Sequence, residues 1–249
     1  VSGLLQLVGI AGLAAFLVSS LAVGLHLLAL ARRTRAFPEL AMGSGFVVGG
    51  FLGYVPETLV VTTGWVPAAW QQGVLLEAEA AIAFSALAMA LFTWHVFRPH
   101  APWAPPLVAG VAVLLVAGVL AFPAPVSRAT SETELQLALA TALLRCACFA
   151  WASLESLRYY RAMQRRARLG LADPVLAQRF GLWGAGAGAA ALLASTSFLS
   201  RTLLGTSANT PPWMVTESAL GLVAAASLWR AFFAAPSLRR RVAGDAPPA

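Results

Sequence analysis

Seven long apolar runs decide what this chain can fold into. Roughly residues 4–31, 38–63, 70–97, 104–122, 133–162, 175–200 and 211–234 are each dominated by Leu, Val, Ala, Phe and Gly. A helix needs about 20 such residues to cross the ~30 Å hydrocarbon core of a bilayer. In hydrocarbon, backbone N–H and C=O groups must find partners within the protein, and for a run of this length the solution is an α-helix. Charged residues make up 11% of the chain, against about 25% in soluble domains. With a mean hydropathy of +0.76, the runs are too many to be the core of one soluble domain. The expected class is an all-α membrane fold, a seven-transmembrane-helix bundle over 1–236 with a basic C-terminal tail at 237–249.

The connectors carry the punctuation of helix ends. Pro38, Pro174, Pro211 and Pro212 stand at first-turn positions, Asp173 at an N-cap and Gly170 at a C-cap, while Pro99, Pro102, Pro105 and Pro106 fill the turn before the fourth helix. Arginine placement sets the orientation. Of 17 arginines, 14 fall on one side: Arg32, Arg33 and Arg35; Arg98; Arg158, Arg161, Arg165, Arg166, Arg168 and Arg179; Arg230, Arg239, Arg240 and Arg241. Arg128 and Arg201 fall on the other side and Arg145 within a run. The positive-inside rule then puts the N-terminus outside and the C-terminus in the cytoplasm, a multi-pass inner (plasma) membrane protein. The basic character is thus topology, and no basic, aromatic face for nucleic acid accompanies it. The chain begins at Val1 rather than Met, which leaves room for a removed start or upstream segment, and the first run is too long for a cleavable signal.

Within the second run, Gly45, Gly49 and Gly53 recur every four residues, a stripe without side chains against which another helix can approach closely. Glu57 continues the stripe one turn on, just after Pro56 has freed a carbonyl. Gly184 and Gly188 give the sixth helix a similar face. Trp65, Trp70, Trp103 and Trp213 lie at span ends, where indoles anchor at the interface.

Ionisable groups inside a membrane face protein or water rather than lipid. Glu57, Glu77, Glu79 and Glu217 lie at similar depth towards the outer side on helices 2, 3 and 7, with Arg145 near the midplane on helix 5. If helices 2, 3 and 7 are neighbours, these groups line an outward-facing polar pocket floored by Arg145, the expected ligand-binding set. Two residues turn a helix by about 200°, so at most one of Glu77 and Glu79 points inward. Glu155 with Arg158 three residues on is an expected structural pair.

Several chemistries are excluded or unsupported. The chain has no lysine, so no retinal Schiff base forms and no cofactor is expected. His26, His95 and His100 are scattered, and Cys146 and Cys148 point to different sides of one helix as small core residues, so no metal site is expected. Gly43-Ser44-Gly45 lacks the first glycine of a hydrolase elbow, and no catalytic constellation assembles.

The connection from Arg158 to Pro174 has no helix breaker before Gly170, so helix 5 should run on as a basic stalk carrying Arg158, Arg161, Arg165, Arg166 and Arg168. Gly170-Leu171-Ala172-Asp173-Pro174 followed by Arg179-Phe180-Gly181-Leu182-Trp183-Gly184 resembles a segment of bacterial seven-helix proteins, some of which are membrane sensor modules of histidine kinases. The resemblance implies a receptor-like sensor: a small ligand enters from outside, and helices 5 and 6 pass the change to a cytoplasmic signalling protein. The other readings are a proton-coupled small-molecule transporter and a structural subunit of a larger membrane complex. The bilayer is the partner common to all three.

Overall fold

The structure, a computed structural model, describes residues 2–62, 65–121, 132–202 and 211–233. Arg128, the loop over 203–210 and the tail at 237–249 lie outside the described residues. Seven helical rods and no strand occur among the described residues. They are α1 (Ser2–Thr34), α2 (37–62), α3 (Ala68–Phe97), α4 (Ala104–Ala121), α5 (Glu132–Arg168), α6 (Pro174–Thr202) and α7 (Pro211–Phe232).

Among the described residues, three stretches are long and apolar enough to cross a membrane: Ile10–Thr34 in α1, and the whole of α3 and α4. Large apolar side chains also point outward, among them Val18, Val113, Leu114, Leu120, Leu192 and Val223. A soluble monomer rarely shows apolar surface on this scale.

Helix neighbours close a ring in the order α1, α2, α3, α5, α6, α7 and back to α1, with α4 outside the ring against α3 and α5. One core cluster draws on every ring helix: Val23 and Leu27, Met42, Met89, Ala152, Trp183 and Ala187, and Leu228. Trp183 is its hub, meeting the rings of Phe46, Phe92 and Phe232 edge-on at 5.5 to 6.0 Å. A second cluster, including Ala86, Ala90, Val108, Val111, Leu115 and Cys148, docks α4 onto α3 and α5.

The glycines of α2 do face a neighbour closely. A Cβ on Gly45 would meet Ala88 at 3.0 Å, one on Gly49 would collide with Ser85, and one on Gly53 would meet Ile82 at 2.7 Å. All three therefore pack against α3. What the sequence does not announce is that α2 is not uniform: α-helix over Phe37–Gly45 gives way to π-helix over Phe46–Gly53, then to α-helix over Tyr54–Thr62. Pro56 supplies the physical reason, since it has no N–H to return to the preceding turn and its ring crowds the carbonyl there. Three glycines within the π segment, Gly49, Gly50 and Gly53, lower the barrier to widening the turn.

Across the α5–α6 hairpin, Ser153 Oγ donates to the Gly184 carbonyl and Ser156 Oγ to the Phe180 carbonyl, each at 2.8 Å. A Cβ on Gly184 would meet Leu157 at 2.8 Å, and one on Gly188 would meet Ser153 Oγ at 2.9 Å. Hydroxyl-to-backbone bonds and small residues are the usual adhesive between helices in an apolar medium. The hairpin turn is sharply defined. Leu171 N–H donates to the Arg166 carbonyl and Gly170 N–H to the Ala167 carbonyl, with Gly170 at φ +71°, a Schellman stop. Asp173 Oδ1 then caps the Val175 N–H at 2.8 Å to start α6.

Gly49→Val should lower the midpoint of thermal unfolding in detergent, because overpacking here costs about 1–3 kcal/mol or more. Gly110→Ala should leave it unchanged or raise it. A Cβ there meets nothing within 4 Å, and alanine is favoured over glycine in a helix by about 0.5–1 kcal/mol.

Candidate functional site

α3 and α5 lie side by side, and their apolar surfaces are joined by a charge pair. Arg145 Nη1 donates to Glu79 Oε2 at 2.8 Å, and its Nε donates to the Thr141 carbonyl one turn back at 3.3 Å. The side chains are only 16% and 21% exposed. Glu79, not Glu77, turns inward; Glu77 is exposed on the opposite side of α3, as the 200° separation requires. Thus one candidate acid of the α3 pair meets Arg145 and the other does not.

Glu57 is half-buried on α2 and makes contacts of its own. Tyr54, three residues earlier on the same helix face, lies close enough to Glu57, Glu79 and Arg145 to feel their charges. Its ring also sits edge-on to Phe16 of α1, at 6.1 Å between centroids. Sequence reasoning passed over Tyr54, although its i, i+3 spacing to Glu57 was a usable signal. The structure therefore pairs Glu79 of α3 with Arg145 of α5 and sets the Tyr54 phenol of α2 within their field.

Glu217 is half-buried on α7 and makes contacts of its own. The expectation that α7 neighbours α2 and α3 does not hold, because α7 packs between α1 and α6. The reason lies in small residues: a Cβ on Gly12 of α1 would meet Ser218 of α7 at 2.9 Å, so the α1–α7 seam is tight where Glu217 begins.

At the other end of α5, Glu155 is held from two sides. Arg98, just past the end of α3, donates Nη2 to both carboxylate oxygens at 2.9 and 3.0 Å, and Arg158 reaches Oε1 at 3.4 Å. The i, i+3 pair with Arg158 is present, but the shorter contact is the long-range one to Arg98, which sequence spacing cannot reveal. Around this cluster Phe97, Tyr159 and Phe180 pack mutually at 4.7 to 5.9 Å. Arg158, Arg161, Arg165, Arg166 and Arg168 are all exposed along the last turns of α5.

Chemically, the Glu79–Arg145 pair offers hydrogen-bond donors and acceptors of both charges in a partly dry setting. A cation can compete for Glu79 and Glu57, or an anion for Arg145. Among the described residues no group of three His, Cys, Asp or Glu side chains converges as a metal site. His95 instead bonds the Leu91 carbonyl at 3.0 Å and packs between Phe37 and Trp94. Cys148 is buried in the α4 interface and Cys146 is partly covered, both free thiols.

Compared with protein-family models, with curated proteins and with solved structures, the chain matches none.

Glu79→Gln and Arg145→Gln should each destabilise the fold, since removing one partner strands the other; fully buried pairs lose about 3–5 kcal/mol this way, and this part-exposed pair should lose less. The double variant should recover part of the loss. A double-mutant cycle on thermal unfolding in detergent gives a non-zero coupling if the pair holds, and additive losses if it does not.

Proposed function

We propose that this chain is a multi-pass membrane protein of seven spans, with its N-terminus outside and its C-terminus in the cytoplasm, acting as a receptor-like sensor. The observation that carries the reading is the half-buried Glu79–Arg145 pair within the bundle, an ion pair whose members are 21% and 16% exposed. Intramembrane ionisable groups are costly, and their usual reason is function. A small polar ligand bound from the outer side competes for one member of the pair and thereby weakens the outer tie between α3 and α5.

The remaining ties say what moves next. α5 and α6 are bonded along their seam through Ser153 and Ser156, so they shift as one body. The Arg98–Glu155 pair fixes the far end of α3 to α5 and serves as the pivot. The exposed arginines beyond it then present the change to a cytoplasmic signalling protein. A ligand only shifts such an equilibrium through its differential affinity for the two arrangements. A proton-coupled transporter would use the same carboxylates but needs access from both sides in turn. A structural subunit would need the pair only for packing.

Orientation is checked with single cysteines in a Cys146→Ala, Cys148→Ala background. A membrane-impermeant maleimide should label Ala68→Cys in intact cells and Leu169→Cys only after permeabilisation; the reverse pattern overturns the topology. For the sensor reading, the purified full chain is screened by thermal shift against small primary and quaternary amines and small carboxylates. At least one should stabilise the wild type and lose that effect with Glu79→Gln. Stabilisation that survives the substitution, or none from any compound, favours the structural role.

A further inference from the structure

We infer that the seam between α1 and α7 binds one anionic phospholipid, its phosphate held by Arg230 and an acyl chain laid along the groove, a proposal that rests on the membrane reading above. The groove, about 340 Å³, is lined by Ala15 and Ser19 of α1 and by Leu222, Ala226, Trp229 and Arg230 of α7, together with Ala225.

Its shape follows from the residues. The two helices run in the same direction: Gly12 meets Ser218 near one end of the seam, and His26 meets Phe233 near the other, with ring centroids 5.2 Å apart. At Gly12 and Gly221 the backbones nearly touch, since a Cβ on Gly221 would lie 3.5 Å from the Gly12 carbonyl oxygen. Further along, Ala15, Ser19, Ala225 and Ala226 are too small to fill the space that opens between the rods. Leu222 and Trp229 form a raised apolar wall, and each is about half exposed.

Among the described residues, the single charged side chain in the lining is a cation, Arg230, in the last turn of α7, with no carboxylate beside it in the groove. Arg32 and Arg33, in the last turn of α1, add positive charge at the same end of the bundle. The occupant must therefore pair a long apolar body with an anionic head. A guanidinium forms paired hydrogen bonds to phosphate, and basic residues at the cytoplasmic surface attract anionic lipid. The volume lies at the small end of ligand sites, about 300–1,000 Å³, and so suits a chain segment rather than a whole lipid.

The test uses the full chain in phosphatidylcholine vesicles, with acyl-brominated phosphatidylglycerol or acyl-brominated phosphatidylcholine as the quencher. The Trp229 signal is the difference between wild type and Trp229→Phe. With brominated phosphatidylglycerol, quenching of that signal should saturate at a few mole per cent; with brominated phosphatidylcholine it should rise in proportion to mole fraction. Arg230→Gln should shift the first curve several-fold, onto the second. Equal curves in the wild type, or no effect of Arg230→Gln, overturn the site while leaving the membrane reading intact. If carbonate washing strips the protein from the vesicles, both fall.

Discussion

The close approach of α2 to α3 is the contact on which the rest of the arrangement depends. Three glycines on α2 meet Ala88, Ser85 and Ile82 on α3 without a side chain between them. In an apolar medium, where side chains gain little by leaving lipid, such packing and interhelical hydrogen bonds hold helices together. Because α2 lies this near, its Tyr54 comes within the field of Glu79 on α3 and of Arg145, which Glu79 holds on α5. Were the helices separated by ordinary side chains, roughly 8–10 Å between axes, the same polar groups would need water or a ligand to connect them.

α3 is then tied to α5 at two levels. Glu79–Arg145 lies within the apolar length of both helices, and Arg98–Glu155 lies at the end of α3. The two pairs differ in exposure: Arg98 is 39% exposed whereas Arg145 is 16% exposed. Removing the carboxylate therefore strands Arg145 with less water than Arg98. Removing the long-range arginine instead strands Glu155, 8% exposed, in a drier place than Glu79, 21% exposed, although Arg158 still reaches Glu155. α4 has no such polar tie among the described residues. It is fixed by Val108, Val111 and Leu115 against α3 and α5, and much of its remaining surface faces outward. The bundle thus separates into a ring joined by polar and backbone contacts and one helix attached by apolar packing.

The helices and their ends were legible because they rest on local chemistry. Apolar runs gave the rods, Asp173 and Gly170 gave the α5–α6 turn, and the absence of a breaker up to Gly170 gave the length of α5, which ends at Arg168. The choice of Glu79 or Glu77 could be narrowed by helical geometry but not made, because only the position of α5 decides it. Helix order was not legible either, and Glu217 shows the consequence. Its depth matched that of the other acids, yet α7 settled against α1 through Gly12 and Gly221, away from α3 and α5. Arg98 was counted only for topology because nothing local links it to Glu155, 57 residues away. Small residues announce that a helix will pack closely, but they do not name the partner.

The π-helical stretch in α2 was hidden for a different reason: it arises where Pro56 and the glycines act jointly, and periodicity is read on the assumption of a constant turn. It also fixes the phase of the site. A π turn takes one residue more than an α turn, and each residue moved into or out of a helix rotates the downstream side chains by about 100°. Tyr54 begins the α-helical stretch beyond the π segment, and Glu57 lies in its first turn. Were Phe46–Gly53 regular α-helix with Gly45 still seated on Ala88, these two side chains would leave α2 in a different direction and lose their relation to Glu79 and Arg145. Tyr54 therefore owes its place near the Glu79–Arg145 pair to the widened turn before it.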